Sequence, residues 1–132
     1  MTHTFEIKDN FYLDGKPFQI ISGGIHYFRV VPEYWKDRLE KLKAMGCNTV
    51  ETYIPWNMHE PNKGEFHFDG MLDIAKFVKT AQELGLWVII RPSPYICAEW
   101  EFWRTAGLAF GRGWHEASRL LQAILRSYSF LL

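Results

Sequence analysis

Leu86-Trp-Val-Ile-Ile-Arg-Pro-Ser-Pro-Tyr-Ile-Cys-Ala-Glu-Trp-Glu101 decides how the rest of the chain is read. Its opening run, Leu86 to Ile90, is short, apolar and rich in β-branched side chains. Such a run reads as a strand buried on both faces. Pro92 and Pro94 cannot continue a central strand, because proline has no N–H to give the ladder. Beyond them stand Tyr95, Glu99, Trp100 and Glu101. A buried strand that ends in carboxylates and aromatics is how an α/β protein builds a polar site.

Upstream the same grammar repeats. Asn48-Thr-Val-Glu-Thr-Tyr-Ile54 reads as a second strand and runs into the proline-bounded loop Pro55-Trp-Asn-Met-His-Glu-Pro61. Between these strands, Ile74, Phe77, Val78, Ala81 and Leu84 form an apolar stripe at helical spacing, so a helix is predicted from about Met71 to Leu84. Gly85 ends it. Earlier still, Phe18-Gln-Ile-Ile-Ser22 is the first candidate buried strand, and it ends in Gly23-Gly24-Ile-His26-Tyr27-Phe28-Arg29. Pro32 then opens a helix in the first-turn position that proline tolerates. Trp35, Leu39 and Leu42 share its inner face, and Gly46 stops it. The N-terminal stretch, Phe5-Glu-Ile-Lys8 and Asn10-Phe-Tyr-Leu13 around Asx and Gly turns, reads as one or two hairpin strands, a lid at the foot of a larger sheet.

Strand, helix, strand, helix, strand with short connections is a parallel α/β pattern. It puts the clusters Gly23 to Arg29, Tyr53 to Glu60 and Tyr95 to Glu101 at one C-terminal sheet edge. Both a β/α barrel and an open doubly wound sheet place sites there. No Gly-rich phosphate loop enters a helix, which argues against nucleotide binding.

Composition narrows the class further. A length of 132 residues suits one domain, and 48% hydrophobic content supplies a core. Aromatics make up 17% of the chain, and they serve both cores and the stacking of flat sugar rings. Fifteen basic and fifteen acidic residues cancel, so nothing points to a nucleic acid or a membrane surface as partner. Cys47 and Cys97 form no CxxC and read as buried free thiols. The polar N-terminus lacks an apolar signal-peptide core, and no apolar run approaches about 18 residues. A soluble, cytoplasmic protein is the expectation.

Several residues admit two readings. Glu99 and Glu101 point the same way in extended chain, with Cα atoms about 6.5 Å apart. They could be the acid and nucleophile of a retaining glycosidase, which lie about 5–5.5 Å apart, or a ligand-binding carboxylate beside a structural one. Glu60 could be catalytic or could anchor its loop by accepting N–H bonds. His26 and His59 could ligate a metal, but without a third ligand they read as hydrogen-bonded structural groups. Arg29 can pair with one of these acids. Trp56, Tyr95 and Trp100 are core residues or a sugar platform.

Four stretches resolve part of this by resemblance. Ser22-Gly-Gly-Ile-His-Tyr-Phe-Arg-Val30, Pro32-Glu-Tyr-Trp-Lys-Asp-Arg-Leu39, Glu51-Thr-Tyr-Ile-Pro-Trp-Asn-Met-His-Glu-Pro61 and Arg91 to Glu101 closely resemble the β-galactosidases of glycoside hydrolase family thirty-five. The likeness runs from about Phe11 to Phe102, with the motifs in the right order. It implies the N-terminal part of a (β/α)8 TIM barrel, about three βα units and incomplete. It also implies retaining hydrolysis of terminal β-D-galactosides with no cofactor and no metal. Self-association of a full-length relative stays open. By the resemblance, Tyr53 and Glu99 hydrogen-bond galactose hydroxyls, and Cys97 and Ala98 shape the pocket. Arg29, Trp56, Glu60, Tyr95 and Glu101 are supporting positions. The family's proton donor, in an Asn-Glu dipeptide after the next strand, and its later nucleophile match nothing here. Both are expected at positions beyond Leu132, so no residue of the chain is assigned a catalytic role. The chain alone is therefore expected to be inactive. A non-catalytic galactoside-binding module and another barrel glycosidase are the rival readings.

The likeness breaks after Phe102. The family continues Gly-Gly-Leu-Pro-Ala-Trp-Leu, whereas here Trp103-Arg-Thr-Ala-Gly-Leu-Ala-Phe110 follows. The single Trp codon, TGG, supplies the first two bases of a Gly codon when read one base later. Suitable degenerate codons carry the family sequence onward in that frame. The expected division is thus 1–102, catalytic-domain sequence, and 103–132, an out-of-frame tail.

Overall fold

The computed structural model describes residues 3–62, 64–92 and 96. It contains two small sheets. The first is antiparallel, with β1 (Phe5–Ile7), β2 (Phe11–Leu13) and β3 (Lys16–Pro17) as consecutive neighbours. The second is parallel, with β4 (Ser22–Gly24), β5 (Thr49–Tyr53) and β6 (Trp87–Arg91) in chain order. Helix α1 (Trp35–Ala44) links β4 to β5. A one-turn helix α2 (Trp56–His59) and the longer α3 (Ile74–Glu83) lie between β5 and β6. Sheet and helix alternate as an α/β fold requires.

The apolar stripes find each other. From α1 come Trp35, Leu39 and Leu42, and from α3 come Ile74, Phe77, Val78 and Ala81. They pack with Val50 and Ile54 into one core, joined by Tyr27 and Phe28. Phe77 sits edge-on to Trp35 with ring centroids 5.6 Å apart. The Trp35 indole N–H is shared between the carbonyls of Val30 (2.8 Å) and Tyr27 (3.1 Å), so the one polar atom of this buried ring is satisfied. Asp73 caps α3 by accepting the Lys76 N–H at 2.8 Å. Gly46 and Gly85, at φ +95° and +71°, end the two helices in the left-handed conformation that only glycine adopts without strain.

Five expectations need correction. The first parallel strand starts at Ser22 and runs through the two glycines; Phe18 to Ile21 precede it without strand pairing. There the Asn48 side chain accepts the Ile21 N–H (2.9 Å) and donates to the Gln19 carbonyl (2.7 Å), groups a ladder would use, while the Ile21 carbonyl takes the Asn48 and Thr49 N–H groups and the Phe18 N–H goes to the Phe11 carbonyl. Second, β6 is not buried on both faces. Its ends are exposed and its centre half-buried, because it is the edge of this sheet among the described residues. Third, the loop after β5 contains the helical turn α2. Fourth, Pro32 opens a 3₁₀ turn, Pro32–Tyr34, that leads into α1, and Met71 lies in another, Gly70–Leu72, ahead of α3. Fifth, Cys47 is free but only half-buried. Cys97 lies outside the described residues.

The hairpin expected at the foot of the sheet is there, extended to three strands. Trp87, the first residue of β6, meets Phe18 and His3 with ring centroids 6.1 and 5.2 Å away. The antiparallel sheet therefore borders the N-terminal end of β6 and leaves the C-terminal end to the polar residues. Among the described residues no helix is long and apolar enough to cross a membrane.

Candidate functional site

Strand alternation decides which β5 side chains meet the site. Val50 and Thr52 are fully buried on one face. Glu51 and Tyr53 project from the other. In the parallel register Tyr53 lies beside Arg91, the last residue of β6. The result is a cluster of three polar side chains on one face of the sheet. Arg91 Nη1 donates to Glu51 Oε1 at 2.9 Å and to the Tyr53 hydroxyl oxygen at 2.6 Å. The guanidinium carbon lies 4.5 Å from the Tyr53 ring centroid, a cation–π distance.

His26 completes the cluster from the end of β4. Its ring lies 5.2 Å from that of Tyr53 and stacks on Phe28 at 5.5 Å with planes 9° apart. Burial, aided by the Arg29 charge, pushes the His26 pKa down against the opposing pull of Glu51. Its buried Nδ1 has no hydrogen-bond partner among the described residues. Gly23 lets the end of β4 approach α1, since a Cβ there would overlap the Leu42 side chain.

The loop after β5 is held by its own polar groups. Glu60 is 2% exposed, and its carboxylate accepts the Trp56 indole N–H at 2.7 Å and the Gly64 N–H at 2.7 Å. Glu60 thus anchors the loop. Trp56 is a buried part of that anchor and not an open stacking platform. His59 donates from Nδ1 to the His67 carbonyl at 2.7 Å, which leaves Nε2 to accept the Tyr27 hydroxyl at 2.5 Å. Burial pushes its pKa down to about 4. His26 and His59 play different parts, one beside Tyr53 and one in the core. Among the described residues no group of three or more His, Cys, Asp or Glu is placed to hold a metal ion.

The structure thus brings Tyr53 together with His26, Glu51 and Arg91, and sets Glu60 with Trp56 in the adjoining turn. Arg29 is the exposed last residue of the 3₁₀ turn Tyr27–Arg29. Tyr95, Cys97, Ala98, Glu99, Trp100 and Glu101 lie outside the described residues, as does the whole stretch from Trp103 to Leu132. Both carboxylates described here are engaged, Glu51 by Arg91 of the neighbouring strand and Glu60 by Trp56 and Gly64 of its own loop. Sequence reasoning passed over Glu51 and Arg91 as site residues. The signal was present: Glu51 is two residues from Tyr53 and so on its face, and Arg91 is the charged end of the neighbouring strand.

The model of glycosyl hydrolases family 35 matches residues 10–110 of the chain. This chain belongs to that family. Among its relatives, a beta-galactosidase of Felis catus is 56% identical over 101 residues, which cover 74% of this chain and 15% of the relative. Beta-galactosidase-1-like protein 2 of Homo sapiens is 60% identical over 90 residues, covering 68% of this chain and 14% of the relative. A beta-galactosidase of Xanthomonas manihotis is 54% identical over 103 residues, covering 78% of this chain and 17% of the relative. The chain therefore spans about one seventh of the length of the curated relatives it matches. A solved GH5_18 structure from Streptomyces cattleya, in complex with GlcNAc, superposes with a TM-score of 0.56 at 16% identity. It covers 70% of this chain and 24% of that one, and at that identity the likeness speaks for the α/β fold alone.

Proposed function

We propose that this family 35 chain forms part of the galactose-binding wall of a retaining β-galactosidase, with β4, β5 and β6 as consecutive strands of a (β/α)8 barrel. The observation that carries the reading is Tyr53. It ends β5, its ring is buried, and its hydroxyl oxygen is held by Arg91 at the sheet edge where barrels place substrates. Relatives sharing this segment bear the name beta-galactosidase. In this reading Tyr53 and Glu99 bind galactose hydroxyls, Cys97 and Ala98 shape the pocket, and Arg29, Trp56, Glu60, Tyr95 and Glu101 support it.

Retaining hydrolysis needs an acid and a nucleophile about 5–5.5 Å apart. The carboxylates described beside Tyr53 are already engaged: Glu51 with Arg91, and Glu60 with Trp56 and Gly64. In this reading both catalytic carboxyls belong to family positions beyond Leu132. Residues 1–132 alone are thus proposed to bind a β-galactoside without cleaving it, with residues 103–132 as out-of-frame sequence. Saturation-transfer NMR on the purified chain should show methyl β-D-galactoside bound in preference to the glucoside, and a chromogenic galactoside should stay intact. Equal response to both sugars would refute the galactose reading. Turnover abolished by Glu99→Gln or Glu101→Gln would make that pair catalytic. Deleting one base at the Phe102–Trp103 boundary should open a family-like frame; an early stop codon there would refute the out-of-frame assignment.

A further inference from the structure

We infer that Arg91 is a positioning residue that fixes the Tyr53 hydroxyl as a hydrogen-bond donor toward a sugar hydroxyl. The inference deepens the galactoside reading above and rests on it. Its basis is the direction of the hydrogen bonds. A guanidinium has donors and no acceptor. Arg91 Nη1 carries two hydrogens, and both are placed: one on Glu51 Oε1 at 2.9 Å, the other on the Tyr53 oxygen at 2.6 Å. The Tyr53 oxygen therefore accepts, and its own proton cannot point at Arg91. That proton must go to a different acceptor.

The guanidinium, though half-exposed, is held from several directions. Arg91 stands beside Tyr53 in the strand register, so the backbone sets the distance between them. Glu51, on the same face of β5, holds the shared nitrogen from below. The guanidinium also lies against the Tyr53 ring, 4.5 Å from its centroid, and His26 meets the same ring at 5.2 Å. Ring and hydroxyl are both confined. A free tyrosine hydroxyl can donate to or accept from a sugar; this one can only donate outward. A sugar hydroxyl that takes its proton must then give its own proton to another acceptor. Donation thus runs outward from Arg91 to Tyr53 and on to the sugar oxygen, with Glu51 taking the other Nη1 hydrogen, which lets the site favour one orientation of a hydroxyl over its epimer.

The test uses the full chain carrying tyrosine labelled with carbon-13 at Cζ, a nucleus sensitive to hydrogen bonding at the hydroxyl. The resonance missing in Tyr53→Phe is that of Tyr53. Arg91→Met should shift it, while Arg91→Lys, which keeps a donor, should return it part of the way. Glu51→Gln, which only loosens the guanidinium, provides a milder second perturbation. Methyl β-D-galactoside should move the native resonance. Arg91→Met should weaken that response about tenfold in affinity with Tyr53 present, yet less than about twofold in a Tyr53→Phe background, measured there on the sugar signals. A merely structural arginine would cost the same in both backgrounds, and equal losses would overturn the inference. A Tyr53 resonance indifferent to both Arg91→Met and Glu51→Gln would overturn it whatever the sugar does. A resonance that answers Arg91→Met but neither galactoside nor glucoside would overturn the sugar reading instead, and the donor role with it.

Discussion

Acidification should destabilise the fold through His59, by an amount the core geometry sets. His59 is fully buried, with Nδ1–H bound to the His67 carbonyl and Nε2 accepting the Tyr27 hydroxyl. A proton added at Nε2 would face a hydroxyl that now donates, and would bring a full charge into the core. Burial accordingly holds the folded pKa near 4, against 6.5 for the exposed imidazole. The fold prefers the neutral ring, so its contribution is fully present above pH 6.5. It falls as pH drops through the window from about 6.5 to about 4 and declines no further below that. At about 1.4 kcal/mol per pH unit, the loss is about 3–4 kcal/mol. Urea melts at several pH values between about 7.5 and 3.5, run on the native chain and on His59→Asn, measure it. His26 acts in the same direction, and the exposed Asp14, Asp37 and Glu65, all with lowered pKa, lose their contributions as pH falls. These groups are common to both proteins and largely cancel in the difference. Parallel stability curves across that window would refute the assignment.

Other substitutions test the framework. Leu39→Ala empties a fully buried position between α1 and the sheet and should cost about 2–5 kcal/mol, read as a lower urea midpoint at unchanged slope. Asp73→Ala removes the α3 cap and should cost about 1 kcal/mol in the same measurement, with Asp73→Asn recovering most of it. Glu60→Ala leaves the Trp56 indole and the Gly64 N–H without their acceptor; a loss of about 3 kcal/mol and faster amide exchange at Gly64 should follow. Gly23→Ala drives a methyl into Leu42 and should cost about 1–3 kcal/mol, relieved when Leu42 is shortened to Val.

The elements legible in advance were those with a strong period. The stripe of α3 and the trio Trp35, Leu39 and Leu42 could be read because helical spacing puts them on one side. The glycine stops could be read because nothing else tolerates their backbone. What stayed hidden depended on contacts between distant residues. No local pattern says that Asn48 takes the backbone groups of Gln19 and Ile21 ahead of the first parallel strand. Nor does sequence spacing say that Tyr27 and His59, 32 residues apart, share a hydrogen bond in the core. For the site, Tyr53 came from resemblance, while the residues alone left Glu60 open between a catalytic group and a loop anchor. The pairing of Arg91 with Glu51 needed the strand register, which two separate segments fix only when they meet.

The register also explains why core and site are inseparable here. β5 spends Val50 and Thr52 on the helix-packed face and Glu51 and Tyr53 on the other. A slip of one residue would bury a carboxylate among Leu39, Phe77 and Val78 and turn Val50 toward Arg91. The apolar packing that stabilises the fold therefore selects the alignment that brings Arg91 to Tyr53. Gly23, inside β4, belongs to the same logic, since its close approach to Leu42 leaves no room for a Cβ between strand and helix. Changes far from the polar cluster, on the α1 face of the core, should thus reach Tyr53 through strand alignment, without touching any residue of that cluster.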